Sequence, residues 1–141
     1  MGPAQHLVAA CATLVVLGFL VGLRMVSVRV SEMRRQRFGP QAIALSRQRA
    51  QRFEDTRAAD NFTNLFEVPV VFYALCALAI ATGHVPGWLP ALAWLFVASR
   101  IVHSAIHCTC NNVIHRLAAF VTGFLLVVGM WVAFALSYIA G

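Results

Sequence analysis

The sequence predicts an all-α integral membrane protein, a bundle of four transmembrane helices. Three observations carry that expectation. The first is composition: 141 residues that are 60% hydrophobic and 11% charged, with mean hydropathy +0.77, are too apolar for a soluble domain of this size. The second is a set of four apolar runs, at residues 7–26, 62–82, 88–106 and 117–139. Each is close to the ~20 residues that a membrane-crossing helix needs. The third is charge placement. All eleven basic residues are Arg, and nine of them fall between Arg24 and Arg57. The positive-inside rule therefore puts the loop of residues 27–61 in the cytoplasm, with both termini and the turn at 83–87 on the far side. The net charge of +6 then reads as topology and contact with membrane lipid, not as a nucleic-acid footprint.

Each element has its own justification. No basic residue precedes the first run and no small-x-small site follows it, so it reads as a retained span and not as a cleaved signal peptide. Gly18 and Gly22, four apart, allow a second helix to approach closely. Arg24 lies near the end of the span, where it can snorkel to the interface or join an internal polar site. Phe38, Gly39 and Pro40 break the helix. Residues 41–56 read as a helical cytoplasmic extension of the second span, where Arg49, Arg52 and Arg57 interleave with Glu54 and Asp55 on a partly paired, solvated face.

The stretch at residues 57–69 is the unusual one. It holds Arg57, Asp60, Asn61, Asn64 and Glu67 at the mouth of an apolar run. Helical spacing puts Arg57, Asn61 and Asn64 on one face and Asp60, Asn64 and Glu67 on an overlapping one. Such residues in a bilayer must face a partner, a cleft or a solute. Interhelical hydrogen bonding and ligand contact both satisfy that demand. Pro69 is expected to kink this helix and free the carbonyl of Leu65.

A second polar stripe lies late in the third span, where Arg100, His103 and His107 follow one helical face towards a shared polar cleft. Cys108 and Cys110 open the turn before Arg116 and the fourth span. A zinc site is disfavoured, because a CxC spacing is not the usual knuckle and Arg100 is a poor neighbour for a cation. Disulfide exchange is disfavoured too, since Cys108 and Cys110 fall on the cytoplasmic side and Cys11 and Cys76 lie within spans.

Taken together, these features resemble the MAPEG family, the membrane-associated proteins of eicosanoid and glutathione metabolism, in a bacterial-type member. The likeness rests on four spans, the basic first loop, Arg57-Ala58 with Asn61 entering span two, and Arg100 with His103 late in span three. The family's second-span motif runs roughly RAxxNxxExxxP. Read from Arg57 it places Asn64 at the Glu position; read from Asn64 it recovers Glu67 but moves the Arg out of step. Both registers stay open. Arg116 matches the family's thiol-activating Arg, while Phe120 stands where several members carry Tyr.

The resemblance implies a homotrimer, with glutathione as co-substrate at the cytoplasmic end between subunits. It also implies a transferase or peroxidase reaction on a lipophilic small molecule, in a bacterial inner membrane. Arg116 is then the expected thiolate stabiliser, supported by Arg100 and His107. Arg57, Asn61, Asn64, Glu67, His103 and Arg24 are the expected binding residues. Arg suits this task because its planar, permanently charged fork matches the two carboxylates of glutathione. A non-catalytic lipid-binding or scaffold protein of the same fold is the alternative. A transporter fits less well, since no polar residue lies near the middle of spans one, two or four.

Overall fold

The computed structural model describes residues 1–140. Six α-helices follow one another: α1 Pro3–Gln36, α2 Ser46–Arg52, α3 Arg57–Asn64, α4 Val68–Ala81, α5 Leu89–Cys108 and α6 Val113–Ile139. Among the described residues there is no strand. Four stretches are long and apolar enough to cross a membrane: Pro3–Gln36, Arg57–Ala81, Leu89–Cys108 and Val113–Ile139. The all-α, four-span bundle expected from composition is the fold observed.

The apolar core fills the half of the bundle that holds the chain termini. Leu7 and Leu14 of α1, Phe72 and Leu75 of α4, Phe96 of α5 and Met130 of α6 meet there, with Ala10, Ala79 and Ala93 letting the backbones close in. The rings of Phe72 and Phe96 lie 4.7 Å apart. Large apolar side chains such as Phe19, Leu20, Leu95 and Leu125 remain exposed, as lipid-facing surfaces require. Towards the other end, polar side chains replace this core.

The first helix overruns its apolar run by a long way. Its 34 residues span about 50 Å, well beyond the ~30 Å hydrocarbon layer. It stops where Arg37 turns left-handed (φ 54°) and donates its N–H to the Met33 carbonyl. A 3₁₀ turn, Pro40–Ile43, and the short α2 then fold back over the α1 extension. Glu32, only 7% exposed, holds the return. Its two carboxylate oxygens accept the backbone N–H of Glu54 at 2.9 Å and of Asp55 at 3.0 Å. Arg35 pairs with Glu54 at 2.6 Å, and the Phe38 and Phe53 rings meet at 6.0 Å.

Two expectations are corrected here. Residues 41–56 are not a helical extension of the second span. α2 ends at Arg52, Phe53 is extended (φ −89°, ψ 128°), and helix resumes only at Arg57. The amides of Glu54 and Asp55 are taken by Glu32, so they do not enter a helical ladder. Nor does Pro69 kink a continuous helix. α3 ends at Asn64, residues 65–67 form a tight turn with i→i−3 bonds, and Pro69 sits in the first turn of α4. A proline has no N–H to give there and needs none, because a first-turn amide has no intrahelical partner. The break also removes Glu67 from the face it was expected to share with Asp60 and Asn64. It becomes the residue preceding α4, at φ −96° and ψ −85°.

Glu32→Ala should strand both amides and loosen the return. The expected loss is about 1–3 kcal/mol. It is read as a lower thermal midpoint in detergent together with faster tryptic cleavage at Arg52 and Arg57; unchanged cleavage would show that Glu32 does not hold the loop.

Candidate functional site

The polar end of the bundle is built around α5. Arg100, His103, Ser104, His107 and Cys108 follow one another at helical spacing, and all five are buried. One flank of this stripe meets α3. Asn61, with no exposed surface, donates from Nδ2 to the Cys108 sulfur at 3.4 Å and accepts the Ser104 hydroxyl at 3.3 Å. The amide is thus spent on an interhelical bridge.

The other flank meets α6. Arg100 is 1% exposed and has no carboxylate partner. Its Nη2 donates to the Ala119 carbonyl at 2.8 Å and the Phe120 carbonyl at 3.2 Å, and its guanidinium lies 5.5 Å from the ring centres of both Phe96 and Phe120. Gly123 makes this possible. A Cβ there would stand 2.3 Å from Nη2 and 2.8 Å from the guanidinium carbon. His103 donates from Nδ1 to the Arg116 carbonyl at 3.1 Å.

At the turn itself, Arg116 donates through Nη1 to His107 Nε2 at 3.0 Å and to Asn111 Oδ1 at 2.7 Å. An arginine cannot accept, so His107 must be neutral at Nε2 and carry its proton on Nδ1. That Nδ1 and the Nε2 of His103 are both buried without a partner, and the two rings stand perpendicular at 5.5 Å. Asn111 is left-handed (φ 49°) and caps α5 by donating its N–H to the Ile106 carbonyl at 2.8 Å. Asn112 caps α6, accepting from the amides of Ile114 and His115.

Arg24 and Arg57 serve the exposed carbonyls at the end of α5. Arg24 donates to the Cys108 carbonyl at 3.1 Å and Arg57 to the Thr109 carbonyl at 2.6 Å. Cations are favoured at this end of a helix, where carbonyls lack partners and the dipole is negative. Asp55 aims Arg57 by accepting Nε at 2.9 Å and Nη2 at 2.8 Å. The side-chain hydrogen bond from Arg57 is the main reason that the Asp55 carboxyl titrates below its usual range.

The structure therefore gathers Arg24, Arg57 and Asn61 on one side of the α5 terminus, and Arg100, His103, His107 and Arg116 on the other. Asn64 and Glu67 stand apart from both. Asn64 is half-buried with no side-chain hydrogen bond recorded, and Glu67 opens onto an apolar groove between α4 and α6 with Val71 and Trp131. A polar cleft of about 790 Å³ lies between the end of α1 and the segment before α3. It is lined by Ser27, Ser31 and Asn111, by Arg35 and Arg57, and by Glu32, Glu54 and Asp55, whose carboxylates are taken up by amides and by those two arginines. Sequence reasoning missed Glu32, Ser104 and Asn111. Ser104 carried a usable signal, lying four residues after Arg100 and three before His107; Glu32 and Asn111 act through loop geometry that spacing does not encode.

A four-span helical membrane protein with buried cationic and imidazole groups at one end of its bundle is the class that these features define. A family model described as MAPEG family matches residues 7–136, and the chain belongs to that family. No curated protein and no solved structure matches it.

Two outcomes test this geometry. Gly123→Ala should drive a methyl into the Arg100 guanidinium and lower stability by about 1–3 kcal/mol, the range for overpacked cores, measured as a fall in thermal midpoint; Gly129→Ala, which meets nothing within 4 Å, is the control. The Asp55–Arg57 pair sets a pH dependence. A carboxyl with a lowered folded pKa contributes stability above its unfolded value, ~3.9, and loses it as pH falls through the folded value. As pH falls through that window, cleavage of the 53–57 segment by pepsin, a protease active in acid, should accelerate, and Asp55→Asn should abolish that pH dependence.

Proposed function

We propose that the chain is a glutathione-dependent membrane transferase or peroxidase acting on a lipophilic electrophile or hydroperoxide, with Arg116 stabilising the thiolate. The observation that carries this reading is how Arg116 is held. One nitrogen, Nη1, makes both of its recorded side-chain contacts, to His107 and Asn111, so the guanidinium is fixed without occupying Nε or Nη2. It is half-buried and has no carboxylate partner. A fixed, uncompensated cation beside a thiol favours the thiolate, which is the nucleophile. The other arginines around the end of α5 are committed differently: Arg57 by Asp55, Arg24 by a helix end and Arg100 by enclosure.

In this reading glutathione lies in the polar cleft that Asn111 joins to Arg116. Arg57 and Arg24 keep the end of α5 in place, Asn61 ties α3 to it, and Arg100, His103 and His107 are positioning residues behind Arg116. Asn64 and Glu67 are available to a ligand at a boundary between protomers, which the homotrimer implied by the family would create. The basic loop then faces the cytoplasm of a bacterial inner membrane, and both termini lie on the far side. On an electrophile, the thiolate attacks carbon, a carbon–sulfur bond forms, and the leaving group departs with the electron pair of its broken bond and takes a proton from water. On a hydroperoxide, the thiolate attacks the terminal oxygen, the O–O bond breaks, and the alkoxide takes a proton to leave as an alcohol. A second glutathione then reduces the resulting sulfenic acid to the disulfide and water.

Phe120 favours the second reading, a non-catalytic lipid-binding or scaffold member. It puts a ring, not a hydroxyl, over Arg100 and against His103, with ring centres 5.9 Å apart in the latter case. Calorimetric binding of glutathione to detergent-purified protein, followed by turnover of a generic electrophile, separates the two. The transferase reading expects binding that weakens at least about tenfold, or ~1.4 kcal/mol, in Arg116→Ala, with turnover lost. Unchanged turnover in that variant sinks the role given to Arg116, and absence of turnover in the wild type favours the scaffold.

A further inference from the structure

Two neighbouring cavities flank α1 where its apolar run ends, and they share Met25 as a wall. The smaller, about 170 Å³, lies between α1, α2 and the first turn of α3. Arg29 and Arg49 both line it and sit close enough to repel each other. Arg29 lies over the Phe53 ring at 5.7 Å, and its Nε is buried with no hydrogen-bond partner. Two carboxylates also line the cavity: Asp55 is paired with Arg57, while Asp60 accepts the Thr56 hydroxyl at 2.8 Å and keeps its charge. The net positive charge facing the cavity therefore comes from Arg29 and Arg49 less one acid. The larger is an apolar groove of about 540 Å³ that runs down α1 past Gly22 and Gly18, with Phe62 and Phe66 opposite. Nothing lies within 4 Å of the position a Gly18 Cβ would take.

We propose that one anionic membrane phospholipid occupies both cavities, its phosphate between Arg29 and Arg49 and an acyl chain in the groove beneath. Three features select this occupant. The Nη nitrogens of Arg29 make no hydrogen bond among the described residues, and a phosphate oxygen supplies an acceptor of the right charge for them. A cavity of about 170 Å³ takes one anionic group and little more, which excludes a peptide or nucleotide as the whole ligand. The two cavities meet at Met25, next to the last apolar residue of the first run, where lipid headgroups give way to acyl chains. A ligand that is anionic at one end and apolar along its length fits that order; a free anion fills only the upper part.

Native mass spectrometry of the full chain in detergent, with equimolar phosphatidylglycerol and phosphatidylcholine, tests this. The wild type should retain phosphatidylglycerol about tenfold over phosphatidylcholine. Arg29→Gln with Arg49→Gln should remove that preference. Arg49→Gln alone should reduce it at least threefold while helical circular dichroism stays unchanged. Arg34→Gln with Arg37→Gln removes the same charge outside the cavity and should leave the preference intact; an equal loss in that variant means diffuse surface attraction and overturns the site. Gly18→Leu should weaken retention of both lipids without altering binding of inorganic phosphate. Lipid retention that ignores Gly18→Leu, with inorganic phosphate still bound between the arginines, assigns the cavity to a free anion and overturns the lipid.

Discussion

The buried arginine of α5 is the constraint from which most of the polar end follows. A lysine in that place could shed its proton, but a guanidinium stays charged. Arg100 is 1% exposed with no carboxylate near it, so its charge must be met by dipoles and ring faces. The carbonyls of Ala119 and Phe120 and the rings of Phe96 and Phe120 supply these. Each belongs to α5 itself or to α6. That demand draws α6 against α5, and Gly123 is the position that lets it come close enough. Once the two helices are in register, His103 reaches the Arg116 carbonyl, His107 reaches the Arg116 side chain, and the turn between them is fixed.

The opposite flank is governed by the end of the same helix. The carbonyls of Cys108 and Thr109 are met by Arg24 from α1 and Arg57 from α3, so two further elements are fastened to α5 through its unsatisfied terminus. Glu32 works one step further out. By gathering the amides of Glu54 and Asp55 it places the Asp55 carboxylate, which aims Arg57. A carboxylate on the extension of α1 therefore bears on the geometry at the end of α5 through three successive contacts. The extension of α1 past the membrane supplies the rigid arm that makes this reach possible.

The fold was legible because membrane crossing writes itself into composition: four apolar runs and a clustered set of arginines leave few alternatives. The polar stripe of α5 was legible for the same reason that any helical face is, since Arg100, His103 and His107 recur at helical spacing. The second span was read less well. Helical periodicity carried Asp60, Asn64 and Glu67 along one face, but a turn at residues 65–67 interrupts that periodicity, and Pro69 belongs to the start of a new helix. The uses of Arg24 and Arg57 could not be read either. An arginine near the end of a span looks the same in sequence whether its donors meet a ligand or a neighbouring helix terminus, and only the position of the α5 carbonyls distinguishes the two.

Charge accounting across the whole chain narrows what is left to explain. Eleven arginines face five acidic residues, and among the described residues only Arg35–Glu54 and Arg57–Asp55 form ion pairs. Glu32 is committed to amides and Asp60 to a hydroxyl, while Glu67 stands in an apolar groove away from the basic end. Internal acids therefore cannot neutralise the rest. Arg100 and Arg24 draw on carbonyls, and Arg29 and Arg52 lean on the rings of Phe53 and Phe38. A ring face attracts a cation but accepts none of its in-plane N–H bonds, and the mid-helix carbonyls of Ala119 and Phe120 are already shared with the helical ladder. Among the guanidinium donors that remain are those of Arg116 and of the Arg29–Arg49 cavity, for which the proposed acceptor is an external anion. The excess of arginine is thus divided by its surroundings: Arg100 and Arg24 hold helices together through carbonyls, and Arg116 keeps part of its guanidinium free of internal partners.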